Sequence, residues 1–144
     1  MGLYGLPFDG IKGVRAEMVR VKALEARLLK DANTLQEKVS ALLGFGKPIA
    51  LRRVTNKSYA PLVWRDMTRH KSRQASMTGL DCELGRNVLA SLDDGSRKQL
   101  LDIEFNRIHL NHAAGLLQYE LARLKRLEGE FNVWRQMMRD VNQH

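Results

Sequence analysis

The chain has 144 residues, 44% of them hydrophobic and 6% aromatic, with a formal net charge of +8 and one cysteine. That length suits one ordinary domain, 1–144, and Cys82 alone excludes an intramolecular disulfide, leaving a buried or half-buried thiol of a reducing cytosol. No apolar run approaches the roughly 18 residues that span a bilayer, and the first ten residues lack the charged start and long apolar stretch of a secretory signal. Leu6 stands where an N-myristoylation motif needs Ser or Thr. The expectation is a cytoplasmic protein with no membrane partner.

Residues 1–8 read as an irregular arm, with Leu3, Tyr4, Leu6 and Phe8 docking on the helices. Asp9 is a candidate N-cap, because its carboxylate can accept from free N–H groups of a first turn. From Gly10 to Leu43 apolar residues recur at Ile11, Val14, Met18, Val21, Leu24, Leu28, Ala32, Leu35, Val39 and Leu42. Steps of three and four make one helical stripe. At 1.5 Å per residue this helix is about 50 Å long. Gly44, Gly46 and Pro48 then stop it.

Residues 47–73 hold eight of the 24 Lys and Arg and one of the 16 acids, a net +7. The other residues carry 16 basic and 15 acidic side chains and are nearly neutral. The basic groups are Lys47, Arg52, Arg53, Lys57, Arg65, Arg69, Lys71 and Arg73; the acid is Asp66. Asn56-Lys57 predicts a two-residue turn, with Lys a weaker choice than Gly. That turn sets Leu51 opposite Leu62 and Ile49 opposite Trp64. One face then collects Ile49, Leu51, Ala60, Leu62 and Trp64, with Arg53 toward the tip. The other collects Ala50, Arg52, Val54, Tyr59, Pro61 and Val63. A two-stranded hairpin is marginal alone, so the Trp64 face should pack on helices. The alternative is an irregular loop with a short strand.

Residues 66–78 are polar and without a firm period, as a loop or a frayed helical turn would be. A short helix follows over about 80–90, with Leu80, Leu84, Val88 and Leu89 apolar. Ser91-Leu92-Asp93-Asp94 resembles a capping box with Asp in place of Glu. The last helix spans about 92–141. Its apolar positions are Leu101, Phe105, Ile108 and Leu116 in the first half. In the second they are Leu110, Ala113, Leu117, Leu121, Leu124, Leu127, Phe131, Trp134, Met138 and Val141. The expected fold is mainly α: a long antiparallel, coiled-coil-like helical hairpin with an inserted basic β-hairpin and a short helix.

Phosphate binding needs Lys or Arg spaced along a surface, and sequence-neutral single-strand binding adds rings for bases to stack on. Arg52, Arg53, Lys57, Arg65, Arg69, Lys71 and Arg73 supply the charge, and Tyr59 a stacking ring. Trp64 is expected in the core. The competing readings are an acidic protein partner and a plain solvated loop. Phe131, Trp134 and Met138 crowd one end of the last helix and are candidates for a homodimer or partner-helix interface.

His109 and His112 stand three apart on one helix, but no third ligand is placed by pattern, so no metal and no other cofactor is expected. His112 lies near the apolar stripe and is expected in the core. No phosphate-loop glycines, Cys/His pair or carboxylate cluster supports an enzyme.

Leu62-Val63-Trp64-Arg65, followed by a helix containing Glu104-Phe105-Asn106-Arg107-Ile108-His109-Leu110-Asn111, resembles a family of small basic helical proteins. They are encoded on integrative conjugative elements and sometimes labelled integrase regulators. The resemblance covers the second half of the chain. It implies an accessory role near DNA, ahead of RNA, on a mobile element. It brings no catalytic residues to carry over.

Overall fold

A computed structural model of the chain describes residues 3–6, 8–44, 46–54, 62–68, 76–77 and 79–143. Among them a 3-10 turn (Leu3–Gly5) is followed by α1 (Gly10–Leu43), β1 (Ile49–Arg53), β2 (Leu62–Asp66), β3 (Ser76–Met77), α2 (Glu83–Ser91) and α3 (Asp94–Asn142). The residues form two compact units, Met1–Ala26 with Gly115–His144, and Arg27–Ala114. Both α1 and α3 contribute to each.

In the first unit the start of α1 packs on the end of α3. Val14 and Val21 are fully buried with Leu121 and Leu124. In the second the end of α1 meets the start of α3, where Leu35 and Val39 share a core with Leu100, Ile103 and Leu110. Within the first unit Ile11 shares a groove with Phe131 and Trp134, and Arg15 bonds Glu128 at 3.1 Å, so the two helices run antiparallel there. The predicted α1 stripe is the stripe that packs. Gly44 ends α1 at φ +74°, and its N–H donates to the Ser40 carbonyl at 3.0 Å. That left-handed conformation suits a residue without a β-carbon.

Of the N-terminal arm, Phe8 is buried and Leu6 packs beside it, but Tyr4 is 98% exposed and does not dock. The short helix starts at Glu83, later than Leu80, because Cys82 takes the capping position: its Sγ accepts from the Gly85 N–H at 3.4 Å. A β-carbon on Gly85 would collide with the Leu80 carbonyl, so only glycine lets this turn close. Before α3 the cap is Asp93, not Ser91. Asp93 Oδ1 accepts from the Ser96 N–H at 2.8 Å, and this bond holds the Asp93 carboxyl below its usual range. Ser91 instead donates its hydroxyl to the Val88 carbonyl at 2.7 Å, closing α2. Arg97 completes that corner by donating to the Leu89 and Leu92 carbonyls, each at 2.9 Å.

The first half of α3 departs from expectation. Leu101, Phe105 and Ile108 are 48%, 63% and 53% exposed, and the buried stripe runs one residue away through Leu100, Ile103, Arg107, Leu110 and Ala114. His112 lies across the helix from that stripe and is exposed, not in the core. His109 is exposed too, with Nδ1 at 3.0 Å from the Phe105 carbonyl.

The strands form an antiparallel sheet in the order β1-β2-β3. Met77 pairs with Trp64 and Ser76 with Arg65, so part of the stretch read as loop or helical turn is a third strand. Two residues are too few to show a strand period in sequence. Between β1 and β2, Leu51 faces Trp64 and Arg53 faces Leu62. This is two residues away from the register of an Asn56-Lys57 turn. The side-chain period of a strand is two, so an even displacement leaves the residues of Ile49–Arg53 and Leu62–Asp66 on their expected faces.

Candidate functional site

The sheet belongs to the second unit and has unlike faces. Ile49, Leu51, Leu62 and Trp64 point one way and are buried among Leu35, Val39, Leu100 and Ile103. Trp64 has no exposed surface, which makes it core, as its place in the pattern predicts. Alternation puts Ala50, Arg52, Val63 and Arg65 on the opposite face. Arg52 is exposed there and Arg65 half-exposed.

Three side chains on α3 hold this sheet. Glu104, Arg107 and Asn111 are spaced i, i+3, i+7 and share one side of the helix. Glu104 accepts from the Trp64 indole N–H. Arg107 forks onto both Glu104 oxygens, at 2.9 and 2.6 Å, and donates to the Leu62 carbonyl at 3.2 Å. Asn111 takes both backbone groups of Leu62: its Oδ1 accepts from the N–H at 2.7 Å and its Nδ2 donates to the carbonyl at 2.8 Å. Here β3 offers no partner residue, so an amide side chain stands in for the missing strand. Arg107 is 8% exposed, and its guanidinium tolerates burial because charge and donors are answered together.

From the other side, α1 supplies Gln36, whose Nε2 donates to the Leu51 carbonyl at 3.1 Å. Lys47 folds back onto α1, with Nζ at 3.0 Å from Ser40 Oγ. Asp66, the one acid of the basic segment, accepts from the Thr68 N–H at 2.9 Å and from the Thr68 hydroxyl.

The structure therefore brings Arg52 and Arg65 together on the face away from the core. Among the described residues neither guanidinium has a hydrogen bond or ion pair. Arg53 is not with them. It sits on the Trp64 side, half-buried, opposite Leu62, with Nη1 buried and without a hydrogen-bond partner among the described residues. Lys57, Tyr59, Arg69, Lys71 and Arg73 lie outside the described residues.

Of the candidate interface residues, Phe131 is half-buried in the first unit's core, beside Phe8 and Leu127. Trp134 and Met138 are 55% and 44% exposed, and Val133, Met137 and Val141 are exposed around them. Trp134 also borders a groove formed with Asp9, Ile11, Glu130 and Arg135.

The set Glu104, Arg107, Asn111 does not emerge from the pattern of apolar residues. One signal was present: Arg107 falls on the core stripe of α3, where a charge must be answered by a buried partner. No protein-family model, no curated protein and no solved structure matches the chain.

Proposed function

We propose that this chain is a non-enzymatic nucleic-acid-binding accessory protein that contacts phosphate through its basic sheet. The motif resemblance favours a role on a mobile genetic element, and DNA ahead of RNA. The observation that carries this reading is the division of the hairpin. One face is anchored by Trp64, while the segment concentrates a net +7 with Arg52 and Arg65 on the opposite face. An anchored sheet holds its charges at fixed positions, whereas a floppy basic linker does not. Binding measured by fluorescence anisotropy at low salt should fall steeply as salt rises, because each neutralised phosphate releases counterions. Replacing Arg52, Arg53 and Lys57 together with alanine should weaken it at least tenfold. Unchanged DNA and RNA binding in that variant would sink the reading.

A second reading, a helical protein that associates through the end of α3, is favoured by the uncovered apolar residues Val133, Trp134, Met137, Met138 and Val141. Their spacing puts them on one side of the helix, and contiguous exposed apolar residues mark interaction sites. Light scattering at increasing concentration checks it. The wild-type mass should exceed 16.5 kDa per particle, and Trp134→Ala with Met138→Ala should return it to that value.

A further inference from the structure

We infer that Arg52 and Arg65, and not Arg53, seat two neighbouring phosphates of a double-stranded nucleic acid. The inference rests on the nucleic-acid reading above and narrows it to a ligand class and two residues. Arg52 stands opposite Val63, and Arg65 stands opposite Ala50. All four share the face turned from the core, so the two arginines are diagonal neighbours across β1 and β2. Backbones in that relation lie about 7–8 Å apart. Guanidinium groups reaching out from there can meet successive phosphates of one strand. Among the described residues of β1 and β2 the other two corners of this square are Ala50, itself buried, and Val63, which neither compete for the anion nor neutralise it. Each guanidinium can take a phosphate through two parallel N–H donors.

The preference for a duplex comes from stiffness. The sheet is held by the Trp64 core and the Asn111 and Arg107 bonds to Leu62, so the backbone positions that carry its two arginines keep one separation. A duplex presents phosphates already at a fixed spacing and is stiff over about 150 base pairs. A single strand must be ordered first, and sequence-neutral binders offset that with rings on which bases stack. Of the two rings of this segment, Trp64 is unavailable for that role, being wholly buried with its N–H on Glu104, and Tyr59 lies outside the described residues. Arg53 faces the core side and makes no such pair with Arg65.

Salt dependence counts the contacts. For a duplex, each phosphate neutralised adds about 0.9 to the steepness of log K against log salt. The experiment titrates the full-length protein with labelled double-stranded DNA, double-stranded RNA and single-stranded DNA of equal length, between 50 and 200 mM salt, ranges of about that size being where the slope is well determined. The variants are Arg52→Ala, Arg65→Ala, the pair, and Arg53→Met, which keeps the half-buried stem; thermal melts confirm that each is folded. On a duplex, each single alanine should make the slope shallower by about 0.9 and the pair by about 1.8. Arg53→Met should leave it unchanged. Both duplexes should bind more tightly than the single strand, and a difference between them separates DNA from RNA as the natural ligand. A slope unchanged in the pair, a fall of the same size in Arg53→Met, or tighter binding of the single strand overturns the inference while leaving nucleic-acid binding in place. No binding of any probe by the wild-type protein overturns both.

Discussion

Replacing Trp64 with alanine should destabilise the second unit by about 3–5 kcal/mol, the usual cost of deleting a buried aromatic side chain. The indole is fully buried, touches the helices on its apolar faces, and donates its one N–H to Glu104. Truncation leaves a cavity that neighbouring side chains fill only in part. It also removes one of the groups that answers a largely buried carboxylate, and the loss of a buried partner adds about 1–3 kcal/mol. The check is urea denaturation followed by circular dichroism. Trp134→Ala is the natural control. It removes the same side chain from a half-exposed position in the other unit, where an isolated surface change stays within about 0.5 kcal/mol. Equal effects of the two substitutions would contradict the burial described here.

Arg107→Ala should cost a similar amount, about 3–5 kcal/mol, because it strands a buried charge. The side chains of Arg107 and Glu104 are 10% and 14% exposed and joined at 2.6 Å. Without the guanidinium, Glu104 keeps only the Trp64 N–H from this cluster, and the Leu62 carbonyl loses one of its donors. The pair of substitutions Glu104→Gln with Arg107→Met should be milder than Arg107→Ala. It removes both charges, keeps a hydrogen-bond acceptor for Trp64, and fills the space. A double-mutant cycle of these changes measures the coupling directly. Additive effects would mean that the two side chains do not act as a pair. Because this cluster positions β2, Arg107→Ala should also weaken the proposed nucleic-acid binding, although Arg107 itself is turned inward.

Much of the helical frame is readable from spacing. The α1 stripe is interrupted by nothing, and glycine with a positive φ stops it where Gly44 stands. The faces of the hairpin are equally readable, since alternation survives a displacement of two residues. The first half of α3 is harder. Two stripes there have helical spacing. The uncovered one, Leu101, Phe105 and Ile108, is unbroken, while the packed one is interrupted by Arg107. A pattern scored on hydrophobicity prefers the unbroken stripe. What reverses the choice is β2, which brings a carbonyl and an indole N–H to that side of the helix and makes a charge acceptable in the core. The third strand is hidden for another reason: two residues carry no period, and their pairing exists only because β2 is already in place.

Local physics in the sequence thus determined the two long helices, the stop of the first, the two-faced hairpin and the concentration of charge in residues 47–73. These depend on neighbours one helical turn or two strand positions away, which the chain order records. Tertiary structure alone decided which side of α3 is buried and which residues hold the sheet. Those outcomes depend on contacts between residues about forty or fifty positions apart, such as Trp64 with Glu104 and Leu62 with Asn111, which no local spacing can encode.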